Sequence, residues 1–277
     1  MEFAKVTVLM KATVLEIAIL TGHLLLYPSG IAAERSAPAR PDGSDAPSGA
    51  AAGAPRALPP ERGPRPVVLL HGFADNRSVF VLLRRALLRH GRAHVVSLNY
   101  SPLTCDLRTA AELLGRQVEA VRARTGHREV DLVGHSLGGL IARYYVQRLG
   151  GDVRVRTLVT LGTPHAGTSV APLADAHPLV RQMRPGSEVL RELAGPAPGC
   201  RTRFVSFWSD LDRIMVPVET ARLDHPDLRT CDVRVSGVGH LALPVHPAVA
   251  AEILAALDAD GAEETGGTRG GGTASVA

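Results

Sequence analysis

Residues 130–145 read VDLVGHSLGGLIARYY, and their reading decides the fold. VDLVGH is a near-continuous apolar run, the pattern of a strand covered on both faces. LGGLIARYY follows it at once with helical spacing. Between them, Gly134-His135-Ser136-Leu137-Gly138 fits G-x-S-x-G in the setting that pattern requires, a strand entering a sharp turn and then a helix. The turn lifts the Ser136 hydroxyl above the sheet. Side chains two residues before and after it would collide with neighbouring elements, so both positions are Gly. The helix that follows points its N-terminus at the site, which favours developing negative charge. Ser136 is the candidate nucleophile.

The flanking sequence repeats strand and helix. Strands are predicted over 66–73, 94–100, 130–135, 155–163, 203–209 and 233–239. Helices are predicted after Asn76, a capping residue, up to Gly91, then over 107–125 before Gly126, over 137–149 before Gly150, and over 246–257 with Pro247 in the first turn. This alternation predicts an α/β protein, a mostly parallel sheet flanked by helices. Residues 164–199 break it with no strand and one short helix, GSEVLRELA. An insert of that length reads as a small lid or binding wall. Its Leu173, Leu179, Val180, Met183, Val189, Leu190 and Leu193 line an acyl groove on one reading and pack onto the core on the other.

A nucleophilic serine needs a base, and the base needs an orienting carboxylate. In this arrangement acid and base follow the serine, each just past a strand end. Past 203–209 stand Asp210 and Asp212, of which the loop position favours Asp212 as the acid and leaves Asp210 to brace the turn. Past 233–239 stands His240, the expected base; His246, at the head of the last helix, is the second choice. His165 follows the wrong strand and reads as structural or pocket-lining. Two donors must bind the oxyanion. Leu137 offers its backbone N–H as the residue after the nucleophile, and Phe73, closing His71-Gly72-Phe73, is the expected second.

The ends differ from this core. Residues 1–33 carry Lys5 and Lys11 ahead of an apolar run from Ala12 to Tyr27, interrupted by Glu16. A positive stretch followed by an apolar one reads as a signal peptide or a retained membrane anchor, with a helix packed on the domain as the third option. The run is short for a spanning helix, and Glu16 opposes insertion by about 3 kcal/mol. Residues 34–64 are rich in Ala, Pro and Gly and read as a disordered linker. Residues 261–277 read as a disordered tail, which leaves 65–260 as the domain.

Composition excludes other classes. Of 277 residues, 45% are hydrophobic and 4% aromatic, enough for a core but too few rings for a base-stacking surface. The net charge is +4, yet the Arg residues scatter among Asp and Glu, and no basic patch marks a nucleic-acid partner. Three cysteines form no C-x-x-C pair.

These residues add up to a resemblance. VVLLHGF (67–73), VDLVGHSLGGLIARYY (130–145), LVTLGTPHAGT (158–168), PGSEVLREL (185–193), SDLDRIMVP (209–217) and GVGHLAL (237–243) resemble the α/β-hydrolase superfamily, and within it small secreted bacterial triacylglycerol lipases and esterases. The resemblance implies an α/β-hydrolase fold, ester substrates, no organic cofactor and export. A monomer with no metal that meets lipid or a lipid interface is the accompanying expectation. It carries the triad to Ser136, Asp212 and His240, and the oxyanion donors to Phe73 and Leu137. The acid loop departs from the family pattern by one extra residue between Asp212 and Pro217. Asp224, Asp227 and Asp232 stand near that loop, but their spacing forms no recognised calcium loop. Export would also suit a disulfide between Cys200 and Cys231, both read as lying just ahead of neighbouring strands, with Cys105 left over. The same triad would serve a short-chain esterase, a thioesterase or an acyltransferase. A non-catalytic binding module is the remaining alternative.

Overall fold

The computed structural model describes residues 63–73, 75–100, 106–170, 177–259 and 273–276. The N-terminal segment, most of the linker, Cys105 and Leu173 lie outside the described residues.

The central element is a seven-stranded sheet. Its strands are β1 (Val67–Leu70), β2 (Val95–Leu98), β3 (Val130–His135), β4 (Val155–Leu161), β5 (Arg203–Ser209), β6 (Arg229–Val235) and β7 (Thr273–Val276). They lie in the order β2-β1-β3-β4-β5-β6-β7, and every neighbouring pair is parallel. The helices are α1 (Val81–Arg89), α2 (Leu107–Thr125), α3 (Leu137–Arg148), α4 (Pro178–Gln182), α5 (Glu188–Ala194) and α6 (Pro247–Asp258). A 3₁₀ turn, Arg77–Phe80, precedes α1, and the Asn76 side chain caps it by accepting from Ser78 N at 2.9 Å.

Both faces of the sheet are buried, which is why its central strands read as unbroken apolar runs. Val68, Leu70, Leu132 and Leu158 face one core with α2, α3, α4 and α5. Val67, Leu69, Val133 and Val159 face the other with α1 and α6. Helix α2 shows the local logic. Leu107, Ala110, Ala111, Leu114, Val118 and Val121 form one buried stripe at helical spacing. Asp106 caps the start by accepting from Thr109 N at 2.7 Å, and Gly126 closes the end at φ 72°.

The strand order places the site. The chain runs from β1 outward to β2, then returns to the other side of β1 for β3. Such a reversal opens a crevice beyond the carboxyl ends of the two strands, where ligands bind in open parallel sheets. His71-Gly72-Phe73 leaves β1 there and Ser136 leaves β3.

Three sequence expectations change. The last long strand runs over Arg229–Val235, four residues earlier than predicted, because its outer positions are part-exposed and polar and do not read as a buried run. That shift removes the geometry expected of the disulfide. Cys231 lies inside β6, opposite Val205, five residues beyond the level of Cys200. The two thiols are not joined to one another, since a disulfide needs Cα atoms within about 7 Å. The tail is not without structure either. Thr273–Val276 adds to β6 in register, Asp232 beside Thr273, and covers an otherwise open sheet edge.

The insert resolves toward packing. Leu179, Val180, Met183, Val189, Leu190 and Leu193 are all buried in the core shared with α2 and α3. Polar contacts tie the insert down. The Arg143 guanidinium, 3% exposed, donates to Leu193 O at 3.0 Å and to His165 O at 3.2 Å. Tyr144 donates to Glu192 at 2.7 Å, and Arg108 pairs with the same carboxylate.

His165 supports this anchoring and makes a stability prediction. It is buried between Thr160, 3.0 Å from its Nε2, and Arg143. Burial, with the Arg143 charge adding to it, holds its imidazole well below the ordinary range. The unfolded chain takes up a proton at His165 below about pH 6.5, and the folded chain does not. The depressed group therefore leaves stability intact above that pH and removes about 1.4 kcal/mol per pH unit below it. Urea denaturation from pH 7.5 to 5 should show a slope in His165→Gln that is shallower than the wild type's by about that amount. Equal slopes would contradict the assignment.

Candidate active site

Ser136 occupies the turn between β3 and α3 at φ 52°, ψ −121°. Among the described residues it is the non-glycine with positive φ. Such strain persists only where the surroundings enforce it, and here they do. A Cβ at Gly134 would lie 2.6 Å from Gly139 N, and one at Gly138 would overlap the Leu70 carbonyl. The turn is further held by Ser136 N, which donates to Leu161 O at 2.9 Å, and by the Thr163 hydroxyl, which donates to Ser136 O at 3.0 Å. Leu137, fully buried, is the first residue of α3, so its N–H lies at the positive end of that helix.

The structure brings Asp212 and His240, the candidate acid and base, together. His240 Nδ1 lies 2.7 Å from Asp212 Oδ2, with both side chains almost wholly buried. The other carboxylate oxygen of Asp212 accepts from Ile214 N at 2.9 Å and Met215 N at 3.0 Å. Burial alone would raise the Asp212 carboxyl. The His240 imidazole and these two N–H donors outweigh it and hold the group below the usual carboxylate range. An ionised Asp212 fixes His240 with its proton on Nδ1 and its lone pair on Nε2, the form a general base requires.

The competing carboxylates have other partners. Asp210 accepts from Arg234 at 3.0 Å and from Gly237 N at 3.3 Å, bracing the turn that leads toward His240. His246 stands at the N-cap of α6, and its side chain does not cap that helix. Asp227 accepts from Ala197 N and Asp232 from Leu223 N, so these carboxylates serve different loops. Phe73 is half-buried, with its ring edge-on to His177 at 5.0 Å.

Sequence reasoning missed three residues packed on this site. A Cβ at Gly162, φ 53°, would lie 3.0 Å from both Asp212 Oδ2 and His240 Nδ1. The bare backbone there closes over the acid–base hydrogen bond; the glycine of LGTPHAG was its only signal. Asp75 and His135 are the other two, and no local pattern marks them, because strand order brings them together. A separate cavity of about 550 Å³ lies between α5 and residues 219–226, lined by Arg143, His165, Leu190, Arg222 and His225, and includes none of the triad.

Comparison with known proteins bears on the fold and the family. Over 114 residues the chain is 36% identical to a triacylglycerol lipase of Pseudarthrobacter phenanthrenivorans, covering 38% of this chain and 35% of that protein. Over 134 residues it is 33% identical to a triacylglycerol lipase of Vibrio cholerae, covering 47% and 40%. The matched stretch thus spans well under half the length of these relatives. The structure of mature lipase BlEst2 from Bacillus licheniformis superposes with a TM-score of 0.59 at 16% identity, covering 72% of this chain and 94% of that one. An α/β hydrolase from a lagoon-sediment metagenome, MGS-MChE2, superposes with a TM-score of 0.51 at 22% identity, covering 71% and 90%. These likenesses establish the α/β-hydrolase fold. The family model described as palmitoyl protein thioesterase matches residues 66–210, more than half of the 277 residues, and the chain belongs to that family.

Proposed function

We propose that this chain is a serine hydrolase of carboxylic esters with long acyl chains, a lipase acting through an acyl-enzyme on Ser136. The observation that carries the reading is the buried Asp212–His240 hydrogen bond of 2.7 Å beside a serine held at positive φ. In the first step Ser136 Oγ attacks the ester carbonyl as His240 Nε2 takes its proton. The Leu137 and Phe73 N–H groups receive the oxyanion. His240 then gives the proton to the leaving alcohol. Water, activated by the same imidazole, attacks the acyl-enzyme and frees the acid and Ser136. The general base contributes about 10²–10⁴-fold and each oxyanion donor about 10²–10³-fold in such sites.

Acyl lipid as substrate is supported by the relatives named as triacylglycerol lipases and by the site's rim. Val170, Ile214 and Val216 are exposed apolar side chains. Thr168 and Ser169 hydrogen-bond the carbonyls of Ile214 and Val216, which gathers the three beside the acid loop. Such a patch suits contact with a lipid surface. The charged apolar leader at 1–33 supports action outside the cytoplasm. Thioester cleavage is the second reading, favoured by the description of the matching family.

The test is hydrolysis of p-nitrophenyl esters from acetate to palmitate, beside palmitoyl and acetyl thioesters, with Ser136→Ala as control. Turnover rising with oxygen-ester chain length supports the lipase reading. Turnover confined to short chains makes the enzyme an esterase, and preference for thioesters favours the second reading.

A further inference from the structure

The acid–base pair is not the only imidazole–carboxylate contact beside Ser136. His135 precedes the nucleophile and is 1% exposed. Its Nε2 lies 3.2 Å from the His240 carbonyl oxygen, and its ring stacks obliquely against that of His240 with centroids 4.8 Å apart. A carbonyl only accepts, so Nε2 is the donor. Its Nδ1 faces Asp75 Oδ2 at 3.4 Å. Gly72 packs onto the same spot: a Cβ there would lie 3.1 Å from Asp75 Oδ2, 3.3 Å from Ser136 Cβ and 3.4 Å from His135 Nδ1.

Three pieces of chain therefore converge on one ring. They are the turn after β1, which carries the Phe73 oxyanion donor; the turn holding Ser136; and the loop after β6, which carries the base. We propose that His135, paired with Asp75, is a positioning residue that fixes the backbone of His240 against the oxyanion turn. It touches neither the acyl group nor the proton in transfer. The proposal rests on the reading of Ser136 and His240 as nucleophile and base.

The Asp75 carboxylate therefore lies against the same ring that holds the His240 carbonyl. Among the described residues, the charged or titratable groups around this contact are Asp75 and His71 from the β1 turn, and His240, backed by Asp212, from the loops after β6 and β5. Because His240 must gain a proton during the reaction, a change of charge beside it alters the base. Loss of the Asp75 carboxylate removes a negative charge from its surroundings and disfavours its protonated form.

The experiment compares His135→Phe, His135→Gln and Asp75→Asn in kcat, KM and the pH profile of ester hydrolysis, with melting temperatures read alongside. His135→Phe keeps ring volume but has no donor, and about a tenfold or greater loss of kcat with KM little changed is expected, the scale of a misplaced catalytic group. His135→Gln, which can still donate to the His240 carbonyl, should recover part of the loss. The acid limb of the profile should move to lower pH in Asp75→Asn. If His135→Phe does not fold, the acid-limb shift in the less buried Asp75→Asn decides. Folded variants with wild-type kcat and an unmoved acid limb, or lower melting temperatures alone, would overturn the proposal. Absence of any Ser136-dependent turnover in the wild type would overturn the reading beneath it, and the proposal with it.

Discussion

Ser136→Ala is expected to lower kcat for ester hydrolysis by about 10⁴-fold or more while the protein stays folded. Removing the nucleophile of a serine–histidine–aspartate unit costs on that scale, and the rate that survives comes from binding and the oxyanion donors alone. The fold should tolerate the change well. Ser136 holds its place through its backbone, by the bonds to Leu161 O and Thr163 Oγ1, not through its hydroxyl. Alanine at φ 52° is strained to a similar degree as serine. Initial rates on a p-nitrophenyl ester, with circular dichroism of both proteins, check this. Residual activity within tenfold of the wild type would remove Ser136 from the mechanism.

Asp212→Asn is expected to lower kcat by about 10⁴-fold, and Asp210→Asn to change it by less than about threefold. The contrast follows from what each carboxylate holds. Asp212 accepts from His240 Nδ1 with one oxygen and from two backbone N–H groups with the other. An asparagine turned to satisfy the backbone donors presents its amide N–H to His240. That forces the imidazole into the tautomer with its lone pair on Nδ1, and a base with a proton already on Nε2 cannot take one from Ser136. Asp210 instead holds the part-exposed Arg234 and one backbone N–H, contacts worth about 1 kcal/mol at a surface. Kinetics of both variants above pH 7 separate them. Comparable losses, or the reverse order, would contradict the assignment.

How far the sequence carries depends on where each signal resides. Strands β1, β3, β4 and β5 are buried on both faces, so their composition marks them without reference to neighbours. β5 and α2 begin and end where the pattern places them. β6 slipped because its paired residues RTCDVRV are half-exposed and polar, while the apolar residues just after it belong to the base loop. β7 has no signal of its own: four small residues after a glycine run become a strand only because β6 offers an open edge. The disulfide expectation failed for the same reason, since strand register decides which cysteines face one another. Ser136, Asp212 and His240 could be singled out as candidates because each follows a strand at a position the chemistry dictates. Asp75, His135 and Gly162 could not, because their meaning lies in contacts across three loops.

The most direct test of the central claim is to trap the covalent intermediate. The protein is mixed with p-nitrophenyl butanoate, quenched in acid within the first turnovers, digested and read by mass spectrometry. A butanoyl group on the peptide carrying Ser136, absent in Ser136→Ala and accumulating less in His240→Ala, is the predicted result. Ester turnover with no acyl group on Ser136 at any quench time, or an acyl group that persists in Ser136→Ala at another residue with activity unchanged, would contradict it.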